Sequence, residues 1–272
     1  AGYTDKFSVI GMRVTGATAH VSDCLIEGNL YNGGSWTSAS AAGLYQENGL
    51  VERCIVQCNT NALTTAAAKS AGGVYFGGGT LRNCLIAGNL ITSSAADSAG
   101  GLYVNAASGE ASHLTVTKNA SQTASAIGGA ILRGTVLKAS LVSGNAGNTQ
   151  MSVVSGAPQY CCYPEASAAV GTGNDSKAVV FAGVTQVLPT DFASVGDFAI
   201  TRASGGFELV PEQYATDDLA GAARPLVAEG GRPSAGALEP AVISKFTAYM
   251  TASASSYAAG ETAVFTLALE GA

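Results

Sequence analysis

Charge is scarce in this chain: Asp, Glu, Lys and Arg make up 12% of its 272 residues, about half the usual share. The net charge is −6, and Lys and Arg nowhere form a basic block. Nucleic acids and anionic membrane surfaces are held by such blocks, so neither is an expected partner. Long apolar runs are missing as well. None approaches the roughly eighteen residues of a membrane-spanning helix. Helical rhythm is also lacking, because apolar residues come in short runs broken by Gly and Asn. A helical repeat would need a 3.6-residue period over ten or so positions in each unit. With neither an initiator Met nor a signal peptide at its start, the chain is expected to be a processed or excised piece of a longer protein.

What is present is apolar and small. Apolar residues reach 47%, and the chain carries 35 glycines. That density can build a core, which excludes a disordered chain. The decisive feature is an internal repeat. Val21–Asn29 (VSDCLIEGN), Val51–Asn59 (VERCIVQCN), Leu81–Asn89 (LRNCLIAGN), Ala111–Asn119 (ASHLTVTKN) and Leu137–Asn145 (LKASLVSGN) align without gaps, at spacings of 30, 30, 30 and 26. A second motif is interleaved with the first: Gly43-Leu44-Tyr45, Gly73-Val74-Tyr75, Gly101-Leu102-Tyr103 and Gly129-Ala130-Ile131, with Gly11-Met12-Arg13 as an earlier copy.

The columns of this alignment give the geometry. Ile26, Val56, Ile86, Val116 and Val142 are all β-branched, and two residues earlier stand Cys24, Cys54, Cys84, Leu114 and Ser140. Spacing two with β-branched residues marks a strand with one buried face. Glu27, Gln57, Ala87, Thr117 and Ser143 vary freely and face out. In the second motif Met12, Leu44, Val74, Leu102 and Ala130 face in, while Arg13, Tyr45, Tyr75, Tyr103 and Ile131 face out. The fold class expected is all-β: a right-handed parallel β-helix, a solenoid with coils of about thirty residues stacked at ~4.8 Å. It spans residues 1–240, with irregular final coils and a cap from about 146. The cap is needed because the last coil otherwise exposes a sheet edge. Met151–Val154, Ala178–Phe181 and Val184–Leu188 read as its short strands. Residues 241–272 read as two alternating strands, Val242–Ser253 and Ala258–Leu269, turning at Gly260 and Glu261. They resemble the start of an immunoglobulin-like domain, or linking strands.

Asn29, Asn59, Asn89, Asn119 and Asn145 close the segments and read as a stacked amide ladder rather than a ligand site. Cys24, Cys54 and Cys84 share one inward column. Stacked Cβ atoms lie farther apart than the ~3.8 Å a bridge prefers, so these are expected to be free thiols filling the core. No His joins that column, and neither a metal nor a cofactor is expected.

Chemistry would have to come from outer columns or loops. Asp23, Arg53, Asn83, His113 and Ala139 form one column, and no outward column stacks two carboxylates as glycoside hydrolysis requires. The catalytic candidates that remain are Asp23, Arg53 and His113, with Glu52 and Arg82 on the same outer corner. The alternative is a solvated charged face. Asp97 and Glu110 are acids that loops can deliver. Tyr45, Tyr75 and Tyr103 would form an outward aromatic stack able to hold sugar rings or a protein, unless loops of neighbouring coils cover them. Leu25, Ile55, Leu85, Thr115 and Leu141 form an outward apolar stripe. Such a stripe is expected to be covered by a long loop, the tail after Pro240 or a neighbouring chain.

The segment V-x-x-C-L-I-x-G-N followed by Gly-Gly-apolar-Tyr resembles the right-handed β-helix repeats of bacterial surface proteins, polymorphic-outer-membrane-type and pectate-lyase-like among them. Gly196-Asp197-Phe198, then Asp218-Leu219-Ala220-Gly221-Ala222-Ala223-Arg224, then Gly236-Ala237-Leu238-Glu239 resemble the closing segment of choice-of-anchor Q β-helix proteins. There a D-x-x-G-x-x-R stretch precedes G-A-x-E. The two resemblances cover about residues 8–240. One departure is Ser204-Gly205-Gly206-Phe207, which stands where a proline-rich approach is usual. The resemblance implies a secreted or cell-surface protein. In that setting the vicinal Cys161-Cys162 pair is expected to lean to oxidation, internally or with Cys58, with the reduced pair as the alternative. The expected function is a non-catalytic structural or adhesin-type β-helix. Self-association into filaments through coil ends, the outer stripe or the C-terminal strands is open to it, with a glycan or protein as surface partner. The alternative is a carbohydrate-binding or polysaccharide-degrading β-helix.

Overall fold

The computed structural model describes residues 8–32, 39–62, 69–92, 97–123, 127–134, 137–147, 149–167, 170–183, 188–225, 230–240, 247–252 and 265–270. Contacts divide the chain into two units, Ala1–Pro240 and Ala241–Ala272.

The first unit is a parallel β-solenoid. One coil shows the pattern: Ser40–Ala41, Leu44–Gln46, Leu50–Glu52, Ile55–Gln57 and Thr60–Asn61 are five short strands separated by tight corners. Each strand pairs in parallel with its counterparts one coil before and after, and the coils stack into sheets of four to six strands. Register follows the alignment of the repeats. Leu25 opposes Ile55, Ile55 opposes Leu85, Leu85 opposes Thr115 and Thr115 opposes Leu141.

Two corners of every coil are left-handed. Asp23, Arg53, Asn83, His113 and Ala139 all have φ between 47° and 55°. Five residues later Gly28, Cys58, Gly88, Lys118 and Gly144 have φ between 54° and 70°. Such φ values are costly for residues with a Cβ. Here the corner N–H groups from Asp23 to Ala139 and from Gly28 to Lys118 donate to the next coil, as from Arg53 N to Arg82 O and from Cys58 N to Ala87 O. Between the two corners lies the three-residue strand whose central side chain points inward.

The asparagines form a continuous ladder. Nδ2 of Asn29 donates to Oδ1 of Asn59, and the same bond recurs from Asn59 to Asn89, Asn89 to Asn119 and Asn119 to Asn145, at 2.8–2.9 Å. Each Oδ1 also accepts the backbone N–H of the preceding asparagine. Asn59, Asn89, Asn119 and Asn145 spend their second Nδ2 hydrogen on a backbone carbonyl such as Ile26 O or Val56 O. Gln150 ends the series, its Oε1 accepting from Asn145 N at 2.7 Å. The Gly column belongs to the same construction. A Cβ on Gly43, Gly73, Gly101 or Gly129 would come within 2.7–2.8 Å of the Nδ2 of Asn59, Asn89, Asn119 or Asn145. This contact is why the two sequence motifs keep one period.

The inner columns pack into one core that includes Leu44, Val74, Leu102, Cys54, Cys84, Val56, Ile86 and Val116. Beyond Met151–Val153 the coils thin to single bridges, Lys138 to Gln159 to Thr172 and Leu141 to Cys162 to Asp175. Phe181 makes only an isolated antiparallel bridge to Ile200, so the strand expected at Ala178–Phe181 does not form. Most of Val184–Leu188 lies outside the described residues. A 3₁₀ helix at Phe192–Phe198 begins on Asp191, whose side chain caps Ser194 N.

The described residues between Leu188 and Glu239 fold back along the outside of the coils. Val195, Phe198, Leu219, Ala237 and Leu238 cover Ile55, Leu85 and the partly buried Leu25. Ile200, Val210 and Ala235 cover Leu141. The outward stripe is thus roofed by a long segment of the same chain. Full burial of each large aliphatic side chain stabilises the fold by about 1.5–3 kcal/mol. Gln57, Ala87 and Thr117 face out of the coils but are buried beneath this cover. In the second unit, Thr247–Ala252 pairs antiparallel with Phe265–Glu270. Two strands fall short of an immunoglobulin-like sandwich, and the turn expected at Gly260 and Glu261 lies outside the described residues.

Candidate functional site

The outer corner named from sequence holds a network of charges. Arg53 Nε and Nη2 grip Asp23 at 2.9 and 3.0 Å, and Arg53 Nη1 reaches Asp217 at 3.1 Å. One step away, Arg82 donates twice to Glu52 Oε2, at 2.8 and 2.6 Å, while His20 Nε2 meets Oε1 at 2.9 Å. The Arg53 hydrogen bond holds the Asp23 carboxyl below its ordinary range. Burial pushes Glu52 up, but hydrogen bonds from Arg82 and His20 and the charge of both arginines outweigh it, so Glu52 is also held low. Arg53 is raised, chiefly by its bond to Asp23. A general acid needs the opposite, a carboxyl held above its ordinary range. Asp23 and Glu52 are instead ionised partners of arginines.

His113 does not join them. It occupies the same left-handed column, but two coils on from Arg53 the cover has closed over it, and it is fully buried. Its ring lies tilted against Tyr214, with centroids 6.2 Å apart. Burial, and then the charge of Arg224, hold its pKa well below the ordinary value. Neither ring nitrogen reaches good hydrogen-bond geometry, although the Ser234 and Gly236 carbonyls stand near. A shielded neutral imidazole cannot serve substrate, so the expected cluster of Asp23, Arg53 and His113 is corrected to an ion-pair network without the histidine.

The tyrosine column is also corrected. Tyr45, Tyr75 and Tyr103 do stack outside the main core, with centroids 4.6 and 5.7 Å apart and planes 8° from parallel. They are buried rather than open, packed with Ala41, Ala71, Ala99 and Ile131 in a cluster of their own. The rings offer no aromatic platform. Their hydroxyls instead support polar neighbours: Tyr103 donates to Asp97 at 2.9 Å and Tyr75 accepts from Asn105 at 2.8 Å.

Cys24, Cys54 and Cys84 are free thiols, each donating to a carbonyl two residues back: Ser22, Glu52 and Arg82. Among the described residues no three His, Cys, Asp or Glu side chains converge on a possible metal position. Cys161 and Cys162 are free as well. Adjacent residues of an extended segment face opposite sides: Cys161 enters the main core and Cys162 the outer cluster under the cover. The lean to oxidation of this pair is therefore overturned. Burial pushes both thiols up, each to about 12.

The closing motif turns out to be a buried latch. Arg224 donates from Nη1 to Glu239. Its Nη2 reaches Asn83 Oδ1 and Gly236 O at 3.0 Å, and its Nε reaches Asp217 O at 2.8 Å. Asp218 accepts from Ala220 N and Ala222 N at 2.9 Å and from Glu239 N at 3.1 Å. Ala237 N donates to Thr115 Oγ1 at 2.9 Å. Gly236, with φ 103°, lies so close to the coils that a Cβ there would strike Leu141. Aspartate, arginine and glutamate here fasten the cover to the coils. Sequence reasoning missed Asn83 as their anchor. The available signal was a motif rich in charge inside a chain poor in it.

Comparison with protein-family models, with curated proteins and with solved structures finds no match to this chain. Among the described residues no helix is long and apolar enough to cross a membrane.

Proposed function

We propose that this chain is a non-catalytic structural element of a secreted or cell-surface protein, a rigid solenoid of adhesin type that presents segments in rows along its length. One observation carries the reading. The strands that precede segments 33–38, 63–68 and 93–96 are Leu30–Tyr31, Thr60–Asn61 and Leu90–Ile91, and they pair in register. The strands that follow, Ser40–Ala41, Ser70–Ala71 and Ser98–Ala99, pair in register too. The described strands on either side of these segments of unlike sequence are therefore stacked one strand spacing apart, ~4.8 Å. Inner columns hold the fold while these segments are free to vary. The latch of Asp218, Arg224 and Glu239 gives the closing motif, on which the resemblance rests, a physical role in fastening the cover.

The test combines exchange of segment and assay of activity. Replacing 33–38 and 63–68 with Gly-Ser segments of equal length should leave the urea midpoint nearly unchanged while abolishing attachment to host-cell or glycan arrays. Loss of the fold in those variants would count against a display role. Turnover of uronate-containing or neutral polysaccharide, with or without Ca²⁺, that disappears on Asp23→Ala would replace this reading with an enzyme. Electron microscopy should show short isolated rods, and continuous filaments would make the chain a self-assembling subunit instead.

A further inference from the structure

Beside the tyrosine stack lies a cleft of about 350 Å³ whose polar lining comes from Lys69, Asn105, Arg133 and Ser155, with small residues between them. That volume is at the small end of the ~300–1,000 Å³ typical of small-molecule sites. Its charges are unevenly matched. Arg133 Nε and Nη2 lie 3.1 and 3.0 Å from Asp97 Oδ1, which also takes the Tyr103 hydroxyl. Asp97 is thereby turned to Arg133, although it is itself the register neighbour of Lys69 in the stack, one position before the Ser70–Ser98 pair, and accepts the Lys69 backbone N–H on its carbonyl. Among the described residues Lys69 Nζ has no hydrogen bond or ion pair. Its backbone sits at φ 67°, while the equivalent Ala39 and Asp97 are not left-handed. A lysine stands where glycine would fit with less strain.

We propose that this cleft binds a small hydroxylated carboxylate. One uncompensated positive charge, that of Lys69, matches a monoanion, and Arg133 adds its remaining Nη1 donor. Asn105 is oriented by its floor: Nδ2 is committed to the Tyr75 hydroxyl, so Oδ1 remains as an acceptor for a ligand hydroxyl. Ser155 supplies a hydroxyl that can donate or accept. A bare phosphate carries more negative charge than the site balances, and a neutral polyol leaves Lys69 unmatched. The site is separate from the Asp23–Arg53 network and does not depend on the display role.

Calorimetric titration of the whole chain with gluconate, against sorbitol and inorganic phosphate as controls, tests this. Gluconate should bind saturably in the millimolar range or tighter, with sorbitol and phosphate at least about tenfold weaker. Lys69→Gln and Ala107→Glu, which remove the charge and oppose it at an exposed position of the lining, should each weaken gluconate about tenfold or more. Their urea midpoints should match that of the parent. Absence of gluconate binding, binding that survives both substitutions, or equal binding of either control overturns the proposal.

Discussion

Arg224 donates from Nη2 to the side-chain oxygen of Asn83, 3.0 Å away and 141 positions earlier in the chain. The asparagine repays the contact, donating its own Nδ2 to Asp217 O at 2.9 Å. A left-handed corner of the third coil is thus the keeper into which the closing segment locks. Burial holds the Glu239 carboxyl above its ordinary range, although the Arg224 charge beside it pulls the other way.

Arg224→Met should therefore cost about 3–5 kcal/mol, because it strands Glu239 without its buried cation. Arg224→Met combined with Glu239→Met should recover part of that loss, since an apolar pair replaces a matched ionic one. Urea unfolding gives the energies, and hydrogen exchange at Leu219 and Ala237 amides should report opening of the cover before the coils. A single variant within about 1 kcal/mol of the parent would show that the latch is not a stabilising element.

The ladder predicts a gradient along the rod. Asn89→Ala removes the acceptor for both Asn59 N and Asn59 Nδ2, and two orphaned buried donors cost about 2–6 kcal/mol. Asn29→Ala, at the first rung, orphans no asparagine before it in the described coils and should cost about 1 kcal/mol or less. Equal losses in the two variants would argue against a hydrogen-bonded ladder.

His113 gives a pH signature. Its folded pKa is depressed, by burial first and then by Arg224, whereas in the unfolded chain it titrates near ~6.5. Above that value the ring is neutral in both states and contributes no pH dependence. As pH falls from ~6.5 toward the depressed folded value, the unfolded chain gains the proton and stability drops, by up to about 1.4 kcal/mol per unit. His113→Asn keeps a side chain that tolerates the corner, as Asn83 does at φ 52°. The difference between parent and variant stability should shrink or reverse on acidification from about pH 7 to about pH 5. A difference independent of pH would sink the idea.

Thiol chemistry should sort the six cysteines. Cys58 is exposed, and Cys54, Cys84, Cys161 and Cys162 are buried. Native protein should give one rapid thiol equivalent with an aromatic disulfide reagent, a slow second from Cys24, and all six after denaturation without reductant. Four after denaturation would restore a bridge, vicinal if Cys58 still gives the rapid equivalent and to Cys58 if that equivalent is lost.

Much of this was legible before any coordinates, and the part that was not has a physical boundary. The inner columns could be read because the core accepts few residue types at Val56, Ile86 or Val116. The ladder could be read because Asn recurs without exception at its position. Exposure could not be read in the same way. Tyr75 and His113 face outward from the coils, as their columns imply, yet both are buried by other parts of the chain. Which side of a strand a residue takes is local information; what lies over it is not. The left-handed corner at Gly28, Gly88 and Gly144 carried a glycine signal that Cys58 and Lys118 obscured. Lys69 and Arg133 meet only because coils of 28 to 30 residues bring distant segments together, and no motif advertises their cleft.

The roof over the outer stripe also sets an order of events at the ribosome. Leu141 completes the stripe, but Leu238, which helps to cover it, is synthesised roughly a hundred residues later. At ~5–20 residues per second the nascent solenoid carries a bare greasy seam for about 5–20 s. During that interval the growing chain is a client for holdase chaperones, and a ribosome stalled before Arg224 would release a sticky product rather than a shorter rod.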